Sequence, residues 1–177
     1  MVRWLLMVAS VASGRESSCE ARVCQAERTT TEENTMGAPE LIHVATMKAQ
    51  LGEQLVAGAG AMGMRVIAEV DSVTVTGDRL NASMAGKSAA DWLTIGHDGS
   101  YGNLDVRVTL RTDDDEVIYL EYGGKIDLGA GKVVSTPTMQ TGSEKYAWVN
   151  SIQFLGDGTL DRDTNVLTYE VYEVKVS

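Results

Sequence analysis

Residues 104–122 constrain the fold more than any other stretch, because they read as two strands joined by a tight acidic turn. Leu104, Val106, Val108 and Leu110 fall on one parity, and Asp105, Arg107, Thr109 and Arg111 on the other. A period of two places those sets on opposite faces of a strand. Thr112, Asp113, Asp114 and Asp115 follow, and then a run from Glu116 to Tyr122 rich in β-branched and aromatic residues. Such residues favour extended chain, so the stretch predicts a β-hairpin and not a helix. In an open sheet its polar face would meet water; in a closed barrel it could line a pocket. The pattern by itself leaves both open.

The rest of the chain agrees with a strand-rich domain. Its 177 residues are enough for one domain with a sizeable core, at an ordinary 44% apolar content. Eighteen glycines against two prolines suit many strands joined by tight turns. The net charge of −10 comes without a basic patch, so nucleic acid is not expected as a partner. Both cysteines, Cys19 and Cys24, precede everything that reads as folded, and the only histidines are His43 and His97. Neither a disulfide-held core nor a histidine-based zinc site is expected, and no metal is assigned.

Residues 1–13 combine Arg3, a short apolar run and small residues near Ala12 and Ser13, a signal-peptide-like pattern with cleavage near Gly14. The run is too short to span a bilayer. Residues 15–35 are polar and aperiodic and read as disordered. The alternative start at Met36 would make residues 1–35 an upstream extension. The protein is secreted on the first reading and cytoplasmic on the second. Asn81, Ala82 and Ser83 form a glycosylation sequon that matters only for a secreted chain.

Glu40 to Leu51 reads as a strand with His43 as a packed residue within it. Gly58, Gly60 and Gly63 match G-x-G-x-x-G, but the β-branched run from Arg65 to Val75 follows where a helix is required. Loop glycines are the simpler reading, and no nucleotide cofactor is expected. Ala90 to Ile95, Met139 to Ser143, Tyr146 to Gln153 and Leu167 to Val174 are further strand candidates. Asp161, Asp163 and Asn165 fit the first ligand positions of a calcium loop. Val166 and Tyr172, however, stand where its glycine and glutamate belong. Short strands at this spacing predict an antiparallel barrel or sandwich.

Four groups carry a resemblance to a known family: Ala90, Asp91 and Trp92; the run from Leu104 to Thr112; Ile118 and Tyr119; and Tyr146, Trp148 and Asn150. In these the sequence resembles the DUF3237 family, also called UPF0311, most strongly from Ala90 to Val174 and more loosely back to Leu41. The resemblance implies an all-β fold: a single small antiparallel β-barrel, calycin-like, over residues 36–177, behind a disordered extension over 1–35. Some similar proteins are associated with small-molecule metabolism, including cofactor-free steps on polyketide-like compounds.

In a closed barrel one face of each strand points inward. That makes Asp105, Arg107 and Tyr119 the candidate catalytic set, with Trp92, Tyr146, Trp148 and Asn150 as a substrate-binding wall. A desolvated Asp105 would act as general base or acid. Arg107 would hold a carboxylate or a developing enolate, Tyr119 would donate a proton, and a tryptophan would stack on a flat ring. The function expected is a cofactor-free lyase or isomerase acting on a carbonyl or phenolic metabolite by cyclisation, dehydration or retro-aldol proton transfer. The alternative is a non-catalytic small-ligand-binding barrel. The expected partner is a small molecule, without nucleic acid or membrane span, and a homo-oligomer is open to it.

Overall fold

The structure, a computed structural model, describes residues 37–176. The signal-like run and the expected disorder of residues 1–35 therefore lie outside the described residues. The strands are β1 (Glu40–Gly60), β2 (Gly63–Thr76), β3 (Ala82–Met84), β4 (Ala90–Ile95), β5 (Tyr101–Thr112), β6 (Val117–Asp127), β7 (Lys132–Gln140), β8 (Phe154–Asp161) and β9 (Val166–Lys175). No α-helix occurs among the described residues, and none of their helices is long and apolar enough to cross a membrane. The one helical turn among them is a 3-10 segment, Ala147–Ser151.

The antiparallel sheet closes on itself. Its strand order is β1-β9-β8-β7-β6-β5-β3-β2-β4, with β1 also paired to β2 and β5 to β4. Strand β4 bridges the near halves of β2 and β5, and β3 bridges their far ends. The two short strands thus share one place in an eight-place ring. A barrel of that size has an interior just wide enough to fill with side chains or to hold one small ligand.

The 104–122 hairpin forms as its alternation predicts. Leu104, Val106, Val108 and Leu110 are buried inside, and Asp105, Arg107 and Arg111 are exposed outside. Asp115 takes the left-handed conformation (φ 71°) that the turn needs and an aspartate tolerates.

One end of the barrel is filled by Leu110, Ile118, Leu120, Val149 and Phe154, all essentially without solvent exposure. Trp148 packs edge-on against Phe154 at 6.3 Å between centroids, and the Arg79 guanidinium lies 3.8 Å from the Trp148 ring centre. The expected strand over Tyr146–Gln153 is corrected here to the 3-10 turn. Asn150 uses its side chain to bond both the amide and the carbonyl of Thr141, at 2.8 and 2.9 Å. The Tyr146 hydroxyl donates to Asp114 Oδ1 in the β5–β6 turn at 2.8 Å. These bonds coil residues 141–150 over the barrel end, so Tyr146, Trp148 and Asn150 do not share a strand face.

Two further expectations are corrected. Strand β7 ends at Gln140, short of the expected Ser143. The glycines from Gly58 to Gly63 form the tip of a β1–β2 hairpin, not a loose loop. Gly63 has φ 111°, and a Cβ there would stand 2.2 Å from the Ile95 carbonyl oxygen, so the close approach of β4 excludes a side chain.

Candidate functional site

The opposite end of the barrel is not filled. Between β1, β2, β4, β5, β6 and β9 lies an interior cavity of about 150 Å³, walled largely by Val66, Ala68, Leu93, Leu104, Val106 and Ile126. Its polar groups are Asp91, Tyr122, Tyr169 and Gln54, and none of its described lining residues is lysine, arginine or histidine.

Strand parity puts the carboxyl there. Asp91 pairs with Ala68 on one side and Val106 on the other, both inward positions, and shares its face with Leu93 and Ile95. Trp92 takes the outward alternate. The β4–β5 pairing lapses at Trp92 and Leu93 between the partners Asp91↔Val106 and Thr94↔Asn103. The lapse frees one amide and one carbonyl. Asp105 N–H donates to Asp91 Oδ1 at 2.9 Å, and the Arg65 guanidinium donates to the Trp92 carbonyl. Asp91 Oδ2 has no protein partner among the described residues.

Asp91 is only 8% exposed. Burial pushes its carboxyl up to about 6, against the lowering effect of the Asp105 amide; the Asp105 charge adds to the rise and Arg65 opposes it. Tyr122 and Tyr169 face the same cavity with ring centroids 5.6 Å apart, edge to face. Burial raises both phenols well above their ordinary range, and the Asp91 charge pushes in the same direction. Both therefore stay protonated and can donate. Their hydroxyls are close enough to influence each other, but no hydrogen bond of good geometry joins them, and the Tyr169 hydroxyl is buried without a partner among the described residues. An orphaned buried donor calls for an explanation.

The room for Tyr169 comes from β8. Gly158 lies opposite Tyr169 in the β8–β9 register, and a Cβ on it would come within 2.6 Å of the ring. A Cβ on Gly156 would meet the Ser135 hydroxyl at 2.4 Å and the same ring at 3.3 Å.

The residues singled out from the sequence lie elsewhere. Asp105 and Arg107 form a 3.0 Å ion pair on the outer wall with both side chains about half exposed, so the burial that was to desolvate Asp105 is absent. Tyr119 is also outside, and its hydroxyl donates to Glu121 at 2.8 Å. The structure does gather part of the set: Trp92, Arg107 and Tyr119 line one open outer groove of about 980 Å³, with the Arg107 guanidinium 5.3 Å from the Trp92 ring centre. Asn150 is exposed and lines a second outer pocket with Tyr119, whereas Tyr146 and Trp148 belong to the filled end.

Asp91, Tyr122 and Tyr169 are the residues that sequence reasoning passed over. A signal existed, since Asp91 alternates with Leu93 and Ile95, Tyr122 with Leu120 and Ile118, and Tyr169 with Leu167 and Val171. A polar group on an apolar parity marks an inward polar group. Among the described residues no three His, Cys, Asp or Glu side chains converge as a metal cluster.

A family model described as "Protein of unknown function (DUF3237)" matches residues 39–174. No curated protein matches the sequence. The fold is shared with a conserved protein of unknown function from Rhodopseudomonas palustris: TM-score 0.71 and 21% identity, over 78% of this chain and 99% of that one. A β-barrel-like protein from Acinetobacter baumannii AYE is similar at TM-score 0.71 and 22% identity, over 81% and 100% of the two chains. A protein from Penicillium herquei described as an enzyme is similar at TM-score 0.62 and 18% identity, over 78% and 96%.

Proposed function

This chain belongs to the DUF3237 family, and we propose that it binds a small neutral carbonyl or phenolic compound inside its barrel and moves a proton on it without a cofactor. The observation that carries this reading is the buried Asp91 carboxyl, raised to about 6, facing an apolar cavity beside the unpartnered Tyr169 hydroxyl. A carboxyl with that pKa can take and return a proton near neutral pH. A protonated phenol at Tyr169 can donate to a carbonyl oxygen as negative charge develops there. Asp91 takes the proton next to the carbonyl, the electron pair moves to the oxygen as an enolate, and return of the proton at another carbon completes an isomerisation. Cyclisation, dehydration and retro-aldol cleavage draw on the same pair of roles. The cavity, of about 150 Å³, suits a single small ring, since an apolar void near that size admits benzene in another protein. With no cation in its lining and a carboxylate already present, a carboxylate ligand is disfavoured. The P. herquei relative, called an enzyme, adds that this fold is one on which catalysis occurs.

The test works whichever compound is the natural substrate. Small cyclic ketones, enones and phenols are screened by thermal shift beside matched carboxylates. Occupancy at a hundredfold excess over Kd adds about 2.7 kcal/mol. Ketones that bind are then incubated in D2O and followed by NMR for deuterium entry next to the carbonyl. Stabilisation by neutral rings, with exchange lost in Asp91→Asn, is the expected result. Binding with exchange unchanged in Asp91→Asn reduces the protein to a binding barrel. Stabilisation by carboxylates alone sinks the interior site.

That last outcome would favour a second reading, in which the outer groove is the binding face. Its specific support is the Arg107 guanidinium set over the outward indole of Trp92 with Tyr119 in the same wall. Arg107 and Tyr119 would then carry the chemistry, with Asp105 held beside the groove through its ion pair with Arg107. Arg107→Met separates the two, because it should abolish binding in the groove and leave the interior untouched.

A further inference from the structure

Strand β1 runs past its partner. It pairs with β9 over Glu40–Gln50 and with β2 from Thr46 onward, so it is held on both sides over Thr46–Gln50; β9 ends there and residues 54–60 pair with β2 alone. The other side of that arm is an open sheet edge about 20 Å long, interrupted by a bulge at Ala57–Gly58, with no second strand among the described residues. Folded proteins ordinarily guard such an edge with charge, proline or bulges. Here residues 54–64 contain neither charge nor proline, and the guards are the register shifts at Leu51/Gln54 and Val56/Gly58. The side chains are apolar on both faces: Leu55 is 46% exposed, Val56 62%, and Met62 at the tip 84%.

We propose that this edge pairs with the same edge of a second copy of the chain, antiparallel about a two-fold axis, to form a dimer. Self-complementarity selects that occupant, and charge on the arm does not oppose it. At a net −10, most of the surface repels another copy, whereas the arm is uncharged from Gln54 to Met64. No register that sets residues 54–60 against themselves opposes like charges, and an antiparallel edge is complementary to itself across a two-fold. A charged peptide would find nothing on the arm to pair with. In the dimer, Leu55 and Val56 gain cross-strand neighbours on the two faces of a continuous sheet. A strand pair this short lies at the small end of specific interfaces, where weak association, on the order of micromolar, is the expectation to test.

Sedimentation of the full chain from about 0.1 to 100 µM tests this, because the range brackets a micromolar constant. The wild type is expected to pass from monomer to dimer. Val56→Asp puts a carboxylate from each copy into the shared edge and should weaken the dimer at least about tenfold. Leu55→Asp, which acts from the opposite face, should do the same. Val134→Asp, an exposed valine on β7, should leave association unchanged. Melting temperatures confirm that each variant is folded. A wild type that stays monomeric throughout, or a dimer indifferent to both Leu55→Asp and Val56→Asp, overturns the proposal. So does equal weakening by Val134→Asp.

Discussion

Asp91 occupies an inward position on the cavity wall, with one oxygen held by a backbone amide. Keeping it ionised there is costly. The rise of its pKa from an ordinary 3.8 to about 6 corresponds to about 3 kcal/mol at pH 7. Because folding raises this pKa, the folded state holds the proton more tightly than the unfolded chain. Stability should therefore fall as pH climbs from about 4 to about 6 and level off above that. Asp91→Asn keeps an acceptor for the Asp105 amide and removes the charge. It should flatten that slope and stabilise the protein by about 1–3 kcal/mol at pH 7.5, read by denaturant unfolding across a pH series. An unchanged slope would place the linkage on another group. Tyr169 allows a matching prediction. Its hydroxyl is buried without a partner, so Tyr169→Phe should raise stability by about 1 kcal/mol while weakening ligand binding in the thermal-shift screen. Stability gained with function lost is the mark of a group kept for a ligand.

Among the elements, β8 shows how absent side chains build a site. Gly156 and Gly158 take inward positions without side chains, and the Tyr169 ring lies across the space they leave. Gly158→Ala would place a methyl 2.6 Å from the ring and 2.9 Å from Val133 Cβ, so something must shift. The expected cost is about 1–3 kcal/mol, measured as a fall in the denaturation midpoint, with the ring displaced from the cavity wall. A neutral outcome would mean that Tyr169 swings aside freely. The same strand shows why some elements were hard to read. Leu155 to Thr159 contains two glycines and an aspartate, which signal a turn in isolation, and only pairing with β7 and β9 holds them extended. Conversely, the run from Tyr146 to Gln153 carries the aromatics of a strand. Side-chain bonds from Asn150 to nearby Thr141 and from Tyr146 to the distant Asp114 coil it instead.

Across the molecule, the closed ring divides its interior into a filled end and an open cavity, and the proposed function depends on that division. Ala68→Leu adds three carbon atoms to the cavity wall. The fold should survive with a change within about 1–3 kcal/mol, and neutral ligands should no longer shift the melting temperature. Binding that persists in this variant would move the site to the outer groove.

The strand-rich class, the central hairpin with its acidic turn and the resemblance to the DUF3237 family were all legible in the linear chain. Each rests on alternation, turn chemistry and residues close together in sequence. Legible too was that Asp105 and Arg107 share a face opposite Leu104 and Val106. Which face is the interior depended on closure of the sheet. The apolar parity went inward because that buries the most apolar surface, and the charged pair stayed in water where ionisation costs least. The cavity needed more still. Asp91, Tyr122 and Tyr169 come from β4, β6 and β9, and a parity of two cannot say which inward positions of distant strands will face one another. Their meeting, and the space beside Gly158 that the Tyr169 ring occupies, are products of register and closure.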